Sequence, residues 1–289
     1  MSAEHASGRG LRRSAPDPER DRERSSVVEK NATLPSASPG PATPFKIVPC
    51  VIVPCFNHAA SVPGLLEDLS ARGIPTVIVD DGSVATEREL LIAAAHPLPW
   101  VHLVHLERNG GKGAAVTAGL RWAKEQGFTH AIQVDADRQH RVADIPRFLE
   151  AAEGHPDALI LGQPVFGEDV PLGRLLGRQL SRVCVFLSTL SRRIGDPLFG
   201  FRLYPLEATV DLLDRANLPS RMDFDPELAV RLCWRGLPII NLPTEVSYPT
   251  GGISNFRLWR DNARISWMHT RLIAGMIPRA PRLLLRRRG

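Results

Sequence analysis

Short apolar runs and longer helix-patterned segments alternate from residue 50 to residue 162, and this alternation restricts the chain to few architectures. "CVIV" (50–53) is β-rich and is stopped by Pro54, and "SVPGLLEDLSARG" follows with helical spacing and a Gly terminator. "TVIVD" (76–80) and "WVHLVHL" (100–106) are further strand candidates. "GKGAAVTAGLRWAKEQG" is a helix closed by Gly127, "HAIQV" (130–134) a strand, "VADIPRFLEAAEG" a helix and "ALILG" (158–162) a strand. Apolar strands separated by helices of about 10–15 residues specify an α/β fold with a mostly parallel, Rossmann-like sheet covered on both faces. In such a sheet, ligands bind beyond the C-terminal ends of the strands. Asn57, Asp80, Asp81, Asp135 and Asp137 all follow closely on predicted strands, so the pattern gathers them along one edge.

The stretch "QVDADRQH" (133–140) puts two carboxylates one residue apart at the end of an apolar run. Such a D-x-D pair can share a hard divalent cation, because the spacer leaves two oxygen donors free to converge. Mg²⁺ and Mn²⁺ prefer these ligands and commonly hold phosphate oxygens as well. An isolated D-x-D is more often two solvated acids. Here "DDGS" stands at a matching strand end and favours the site.

The composition narrows the rest. Hydrophobic residues make up 43% of the 289, enough for a sizeable core. Residues 1–44, with "PERDRERSS" and "LPSASPGPATP", have almost no apolar periodicity and read as a disordered tail. No secretory signal and no apolar run long enough for a membrane span is present. The four cysteines, Cys50, Cys55, Cys184 and Cys233, read as buried small hydrophobes rather than a disulfide or zinc set. Net charge is +5, but residues 257–289 hold nine arginines and one aspartate while residues 1–44 nearly balance. The region between is therefore net acidic, and the basicity sits in the C-terminal segment.

The motifs "VIVPCFNHAASVPGLLEDL", "VIVDDGS", "LERNGGKGAAVTAGL", "VDADRQH", "GDPLFGFRLYP", "FDPELAVRLCWRG" and "NLPTEVSYPTGGISNF", in this order and spacing, resemble family 2 glycosyltransferases of the GT-A fold. The resemblance is to their dolichyl- and polyprenyl-phosphate sugar transferase branch. It covers about residues 46–256 and implies a GT-A domain over 45–256. It implies a nucleotide-sugar donor, a UDP- or GDP-hexose, contacted by Pro54, Asn57, Asp80, Asp81, Gly111, Lys112, Gly113 and Asp135. It implies Mg²⁺ or Mn²⁺ held by Asp135, Asp137 and Gln139, and inverting transfer to a lipid-linked acceptor. Two positions depart from the family. Arg138 stands where Gly or Leu is common, and His58 where Glu is common.

Such a transfer needs stabilisation of the leaving diphosphate and, for a hydroxyl acceptor, a base. Lys112 and the metal suit the first. Asp225 and Glu227 of "MDFDPELAVRL" fit the family's acidic helix-start motif, with helix capping as the alternative for Asp225. Asp196 opens an acceptor-side segment with Arg202 nearby. A polyprenyl phosphate is already anionic and needs no base.

Residues 257–289 place Trp, Leu, Ile and Met at roughly helical spacing with Arg257, Arg260, Arg264 and Arg271 interspersed. That pattern reads as an amphipathic helical extension on a membrane surface, or as a last helix packed on the domain. The segment resembles soluble transferases associated with bacterial aryl-polyene lipids. The expected setting is cytoplasmic, peripheral on the inner face of the cytoplasmic membrane, with no nucleic-acid partner. Two other classes remain. A nucleotidyltransferase would need a Gly-rich, Arg-containing loop where "VPCFNH" stands. A non-catalytic lipid-surface scaffold would not need an intact D-x-D.

Overall fold

The structure, a computed structural model, describes residues 46–166, 172–246 and 258–286. The tail expected over 1–44 and Arg257 lie outside them. In chain order the elements are β1 (Pro49–Cys55), α1 (Val62–Ser70), β2 (Thr76–Asp80), α2 (Ala85–Ala95), β3 (Val101–His105), α3 (Lys112–Glu125), β4 (His130–Gln133) and α4 (Ile145–Gly154). Then come β5 (Leu159–Val165), α5 (Leu172–Thr189), β6 (Arg202–Pro205), α6 (Leu206–Arg215), α7 (Phe224–Arg235), β7 (Ile239–Glu245), α8 (Leu258–Met276) and α9 (Ala280–Arg286).

The seven strands form one sheet in the order β3-β2-β1-β4-β6-β5-β7. Only β6 runs against its neighbours, β4 and β5. All the sequence-predicted strands are present, but β1 continues through Pro54 to Cys55, with Pro54 opposite Val79. The reason lies in the ladder. Val51 donates its N–H toward β2, so every second residue does the same and Pro54 would face β4. The β4 pairing has already ended at Ile52–Gln133, so the missing N–H leaves no bond unmade.

Alternate residues of β1 feed two cores. Cys50 and Ile52 pack with Val116 and Leu120 of α3, Leu228 of α7 and Met268 of α8. Val51 and Val53 pack with Leu65 and Leu69 of α1, Leu91 of α2 and Phe148 of α4. Each such leucine contributes about 2 kcal/mol by leaving water. The four cysteines are free thiols, and burial pushes Cys50 and Cys55 up to about 12.

The C-terminal segment is divided between packing and exposure. Met268 and Leu272 of α8 are buried, while Trp259 and Trp267 are not. Arg271 of α8 donates to Glu227 of α7 at 2.8 Å. Arg279 lies over the Trp234 ring at 4.6 Å, and Arg286 donates to the Trp234 carbonyl. The helical period expected for a wholly surface-lying element is thus shared. Periodicity shows that one face avoids water, not what it faces. Among the described residues, no helix is long and apolar enough to cross a membrane.

Candidate active site

The loops after β1 and β2 are tied together by their own polar groups. Asn57 sits at φ 48, in the left-handed region that Asn tolerates. Its N–H donates to Ser83 Oγ, and its Oδ1 accepts from the Val84 N–H. Asp80 is buried and accepts from the Ser83 N–H at 2.9 Å and from Arg88 at 3.2 Å, with His105 Nδ1 at 3.0 Å. Burial alone would raise its pKa, but hydrogen bonds from Ser83, His105 and Arg88 outweigh that and hold the carboxyl below its usual value. Asp81 accepts from the backbone N–H groups of Gly110 and Gly111 at 2.8 and 2.7 Å. These amides only partly offset its burial, and its pKa lies above the ordinary one. The resemblance led us to expect Gly111, Lys112 and Gly113 at the nucleotide-sugar donor. For Gly110 and Gly111 the anion in place is the protein's own Asp81.

Gly111 requires its residue type twice over. Its φ is 98, and a Cβ would strike the Arg221 side chain and the Ser220 carbonyl. This turn starts α3, so Lys112 is placed at the helix entrance. Its Nζ lies 2.8 Å from Asp135 Oδ2 and 3.1 Å from Asp225 Oδ2. Burial would lower the lysine's pKa, but the charges of Asp135 and Asp225 outweigh it and raise it. Burial likewise pushes Asp135 up, and Lys112 and His140 pull it below the usual carboxylate range. Each carboxylate keeps one buried oxygen, Oδ1, without a hydrogen-bond partner.

The antiparallel strand explains how Asp135 and Asp225 meet. Arg202 starts β6 opposite Gln133 at the end of β4, so the 196–201 loop lies beside the D-x-D turn. A Cβ on Gly200 would lie 2.6 Å from Lys112 Nζ and 2.7 Å from Asp135 Oδ2. Arg202, expected on the acceptor or membrane side, is fully buried instead. Its guanidinium donates to the carbonyls of Pro197, Phe199 and Asp225, binding the loop and the start of α7 to the sheet. Those three acceptors satisfy a charge that otherwise stays at the surface. Beneath Asp225, Gln133 donates to Oδ2 at 3.4 Å and accepts from the Tyr204 hydroxyl.

Asp137 accepts from the Gln139 N–H at 3.1 Å, closing the turn. Arg138 is at φ 59, a conformation that favours glycine, one of the two residues the resemblance led us to expect there. Its side chain turns away from the cluster, lies over Gly64 and pairs with Asp68 of α1 at 2.9 Å. Asp196 and Glu227 fall outside the cluster's bonds. Asp196 pairs with Arg178 at 2.7 Å and accepts from the Leu198 N–H with its other oxygen. Glu227 is fully buried between Arg231 and Arg271. Arg264 pairs with Asp261, and Arg260 is exposed.

Two residues without an assigned role join the site. His140 accepts the Asp135 N–H at its Nδ1 and stacks on Phe201 at 5.3 Å. Burial outweighs the charges of Asp135 and Asp137, so its pKa is lowered. Its sequence signal was its place three residues after Asp137. Arg221 donates to Asn109 Oδ1 at 3.1 Å and underlies Gly111, with no motif to announce it.

Comparison with known proteins agrees with this fold. The chain is 28% identical over 213 residues to a polyprenol monophosphomannose synthase of Mycolicibacterium smegmatis, covering 71% of this chain and 79% of that one. It is 27% identical over 203 residues to an undecaprenyl-phosphate mannosyltransferase of Micrococcus luteus, covering 66% and 80%. Its fold is similar to that of glucosyl-3-phosphoglycerate synthase from Mycobacterium tuberculosis, solved with Mn²⁺, UDP-glucose and phosphoglyceric acid. That match has a TM-score of 0.58 at 15% identity and covers 81% of this chain and 79% of the other. The "Glycosyl transferase family 2" pattern matches residues 50–203, which run from the second residue of β1 through the D-x-D turn into the first half of β6. With the GT-A arrangement of strands and the acidic edge described above, the chain belongs to glycosyl transferase family 2.

Proposed function

We propose that this glycosyltransferase moves a hexosyl group from a UDP- or GDP-sugar to a polyprenyl phosphate at a membrane surface, with inversion at the anomeric carbon. The observation that carries the proposal is the half-buried Lys112 bridging Asp135 and Asp225, with an unpartnered oxygen on each carboxylate. The acceptor class follows the relatives named for undecaprenyl and polyprenol phosphates.

The donor set suits a hard divalent cation, Mg²⁺ or Mn²⁺. Asp135 and Asp137 with Gln139 would hold it, and the unpartnered Asp135 Oδ1 is a ready ligand. Among the described residues, no three His, Cys, Asp or Glu side chains gather around one point. A partial protein shell of this kind fits an ion that shares phosphate oxygens. When bound, the cation supplies charge stabilisation to the leaving diphosphate. Lys112 adds its own positive charge at that place, held protonated by its two carboxylates. His140 holds the Asp135 backbone, and Arg202 holds the backbone of Asp225. The acceptor oxygen attacks the anomeric carbon from the side opposite the diphosphate, whose oxygen departs with the bonding pair. A phosphate acceptor arrives ionised, and Asp225 then serves to position Lys112.

The second reading is a hydroxyl acceptor with Asp225 as base, favoured by its unpartnered Oδ1. The test is transfer of labelled sugar from UDP- and GDP-hexoses to detergent-dispersed undecaprenyl phosphate, with and without Mn²⁺. Product that needs both the metal and the lipid phosphate is expected. Asp225→Asn then retains more than about a hundredth of turnover, whereas loss of a base costs about 10²–10⁴-fold. Transfer to lipid alcohols but not to lipid phosphate sinks the first reading.

A further inference from the structure

α5 and α8 lie side by side, joined where His269 Nε2 meets Ser181 Oγ at 3.2 Å. Away from that contact, α5 turns four aliphatic side chains to water. Leu176, Leu180, Val183 and Leu187 are 70, 67, 55 and 42% exposed. Their spacing of four, three and four puts them in one stripe along the helix. α8 adds Trp259 and Trp267, 87 and 64% exposed. Scattered exposed leucines need no explanation, but a four-residue stripe on one helix and two exposed indoles on the helix packed against it do.

We infer that this composite face of α5 and α8 is the surface on which the protein docks on an anionic lipid bilayer. The inference deepens the proposed function and rests on it for its purpose, since it names the surface that meets the membrane. Charge selects the occupant. Over 172–189 and 258–286 the only carboxylate is Asp261, which is buried and paired with Arg264. Arg182 on α5 and Arg260 on α8 are exposed, as is Arg282 on α9. An apolar stripe flanked by arginines without exposed acids complements anionic headgroups over hydrocarbon. A second copy of the chain would bring like charges together. Position agrees. Arg178 of α5 holds Asp196, which opens the loop where a Cβ on Gly200 would run into Lys112 and Asp135. The docking helix is therefore one ion pair away from the loop beside the site.

The experiment is co-sedimentation of the full-length chain with phosphatidylglycerol–phosphatidylcholine vesicles and with pure phosphatidylcholine vesicles. Wild type should prefer the anionic vesicles and release in high salt. The Leu180→Glu/Leu187→Glu double variant should partition at least about tenfold less, each leucine being worth about that much when it enters hydrocarbon. Leu90→Glu, on α2 and 54% exposed, should bind as wild type. Trp259→Ala/Trp267→Ala provides an independent arm should the leucine variant lose its circular-dichroism signature. Equal binding by wild type and both double variants overturns the inference. So does binding indifferent to lipid charge, or a wild-type dimer that the leucine variant dissociates. Sugar transfer in detergent is read separately. Its absence with vesicle binding intact counts against the proposed function alone, and its presence with unaltered vesicle binding by the variants counts against this surface alone.

Discussion

Two carboxylate groups lie along the same sheet edge and differ in what is left over. After β2, Asp80 and Asp81 together take backbone N–H groups from Ser83, Gly110 and Gly111 and the side chains of Arg88 and His105. After β4, Asp135 and across from it Asp225 share one lysine and each retain a buried oxygen with no partner. Both groups are acidic and start from a strand end, Asp80 and Asp81 after β2 and Asp135 after β4, with Asp225 added from the first turn of α7. The first is committed to holding two loops and a helix entrance together. The second keeps binding capacity that is costly unless a ligand uses it. The two groups differ in the lone pairs they leave unsatisfied, not in the presence of acids.

The contrast breaks most visibly at Asp135. Asp135→Asn should lower turnover by about 10²–10³-fold, the range for removing one electrostatic contributor, with little change in thermal midpoint. Near wild-type turnover in metal-depleted buffer would place the chemistry elsewhere. Asp80→Asn should do the reverse. Loss of its charged hydrogen bonds should cost about 2 kcal/mol of stability in urea unfolding, while kcat changes less than about threefold. A collapse of kcat at unchanged stability would merge the two groups.

A pH series sharpens the same point. The folded-state pKa of Asp80 is depressed, so its contribution is present above the unfolded value near 3.9 and is lost as pH falls through the folded value. The stability gap between wild type and Asp80→Asn should be full at pH 6 and shrink below about pH 4. A gap that widens on acidification contradicts the assignment. The smallest effect is expected at Arg138→Gly. Relief of a left-handed backbone, about 1 kcal/mol, is offset by the lost Asp68 pair and by the freer unfolded chain. Its thermal midpoint should stay within a few degrees of wild type, and a change in metal affinity would show that the side chain reaches the site after all.

The strands from β1 to β5 were legible because β1, β2, β4 and β5 carry short apolar runs and β3 alternates apolar residues with histidines, and the D-x-D turn because it interrupts such a run. β6 was not. It has four residues, begins with Arg202 and ends in Pro205, and is buried only because β4 and β5 enclose it. Arg202 read as an acceptor-side cation since arginines mostly stay exposed. Its three carbonyl partners come from a loop and a helix that the sequence keeps apart. Asp196 and Glu227 fit acidic motifs, but the arginines that occupy them, Arg178 and Arg271, stand on α5 and α8. A pattern can nominate an acid. Whether its oxygens are free depends on partners far along the chain. The same limit applies to α8, where one period described both the residues that pack, Met268 and Leu272, and those that do not.

The strand order has a consequence for how the molecule is made. β3, β2, β1 and β4 come from residues 49–133, and they form the parallel side of the sheet without any later segment. A chain leaving the ribosome N-terminus first can build that side, with Asp80, Asp81, Lys112 and soon Asp135 in place, while β6 and α7 are still unmade. Until β6 arrives, β4 is an open edge, the kind of strand that invites pairing with a neighbouring chain. The active site is thus assembled in two instalments, and the nascent protein is most exposed to misassembly in the interval between them.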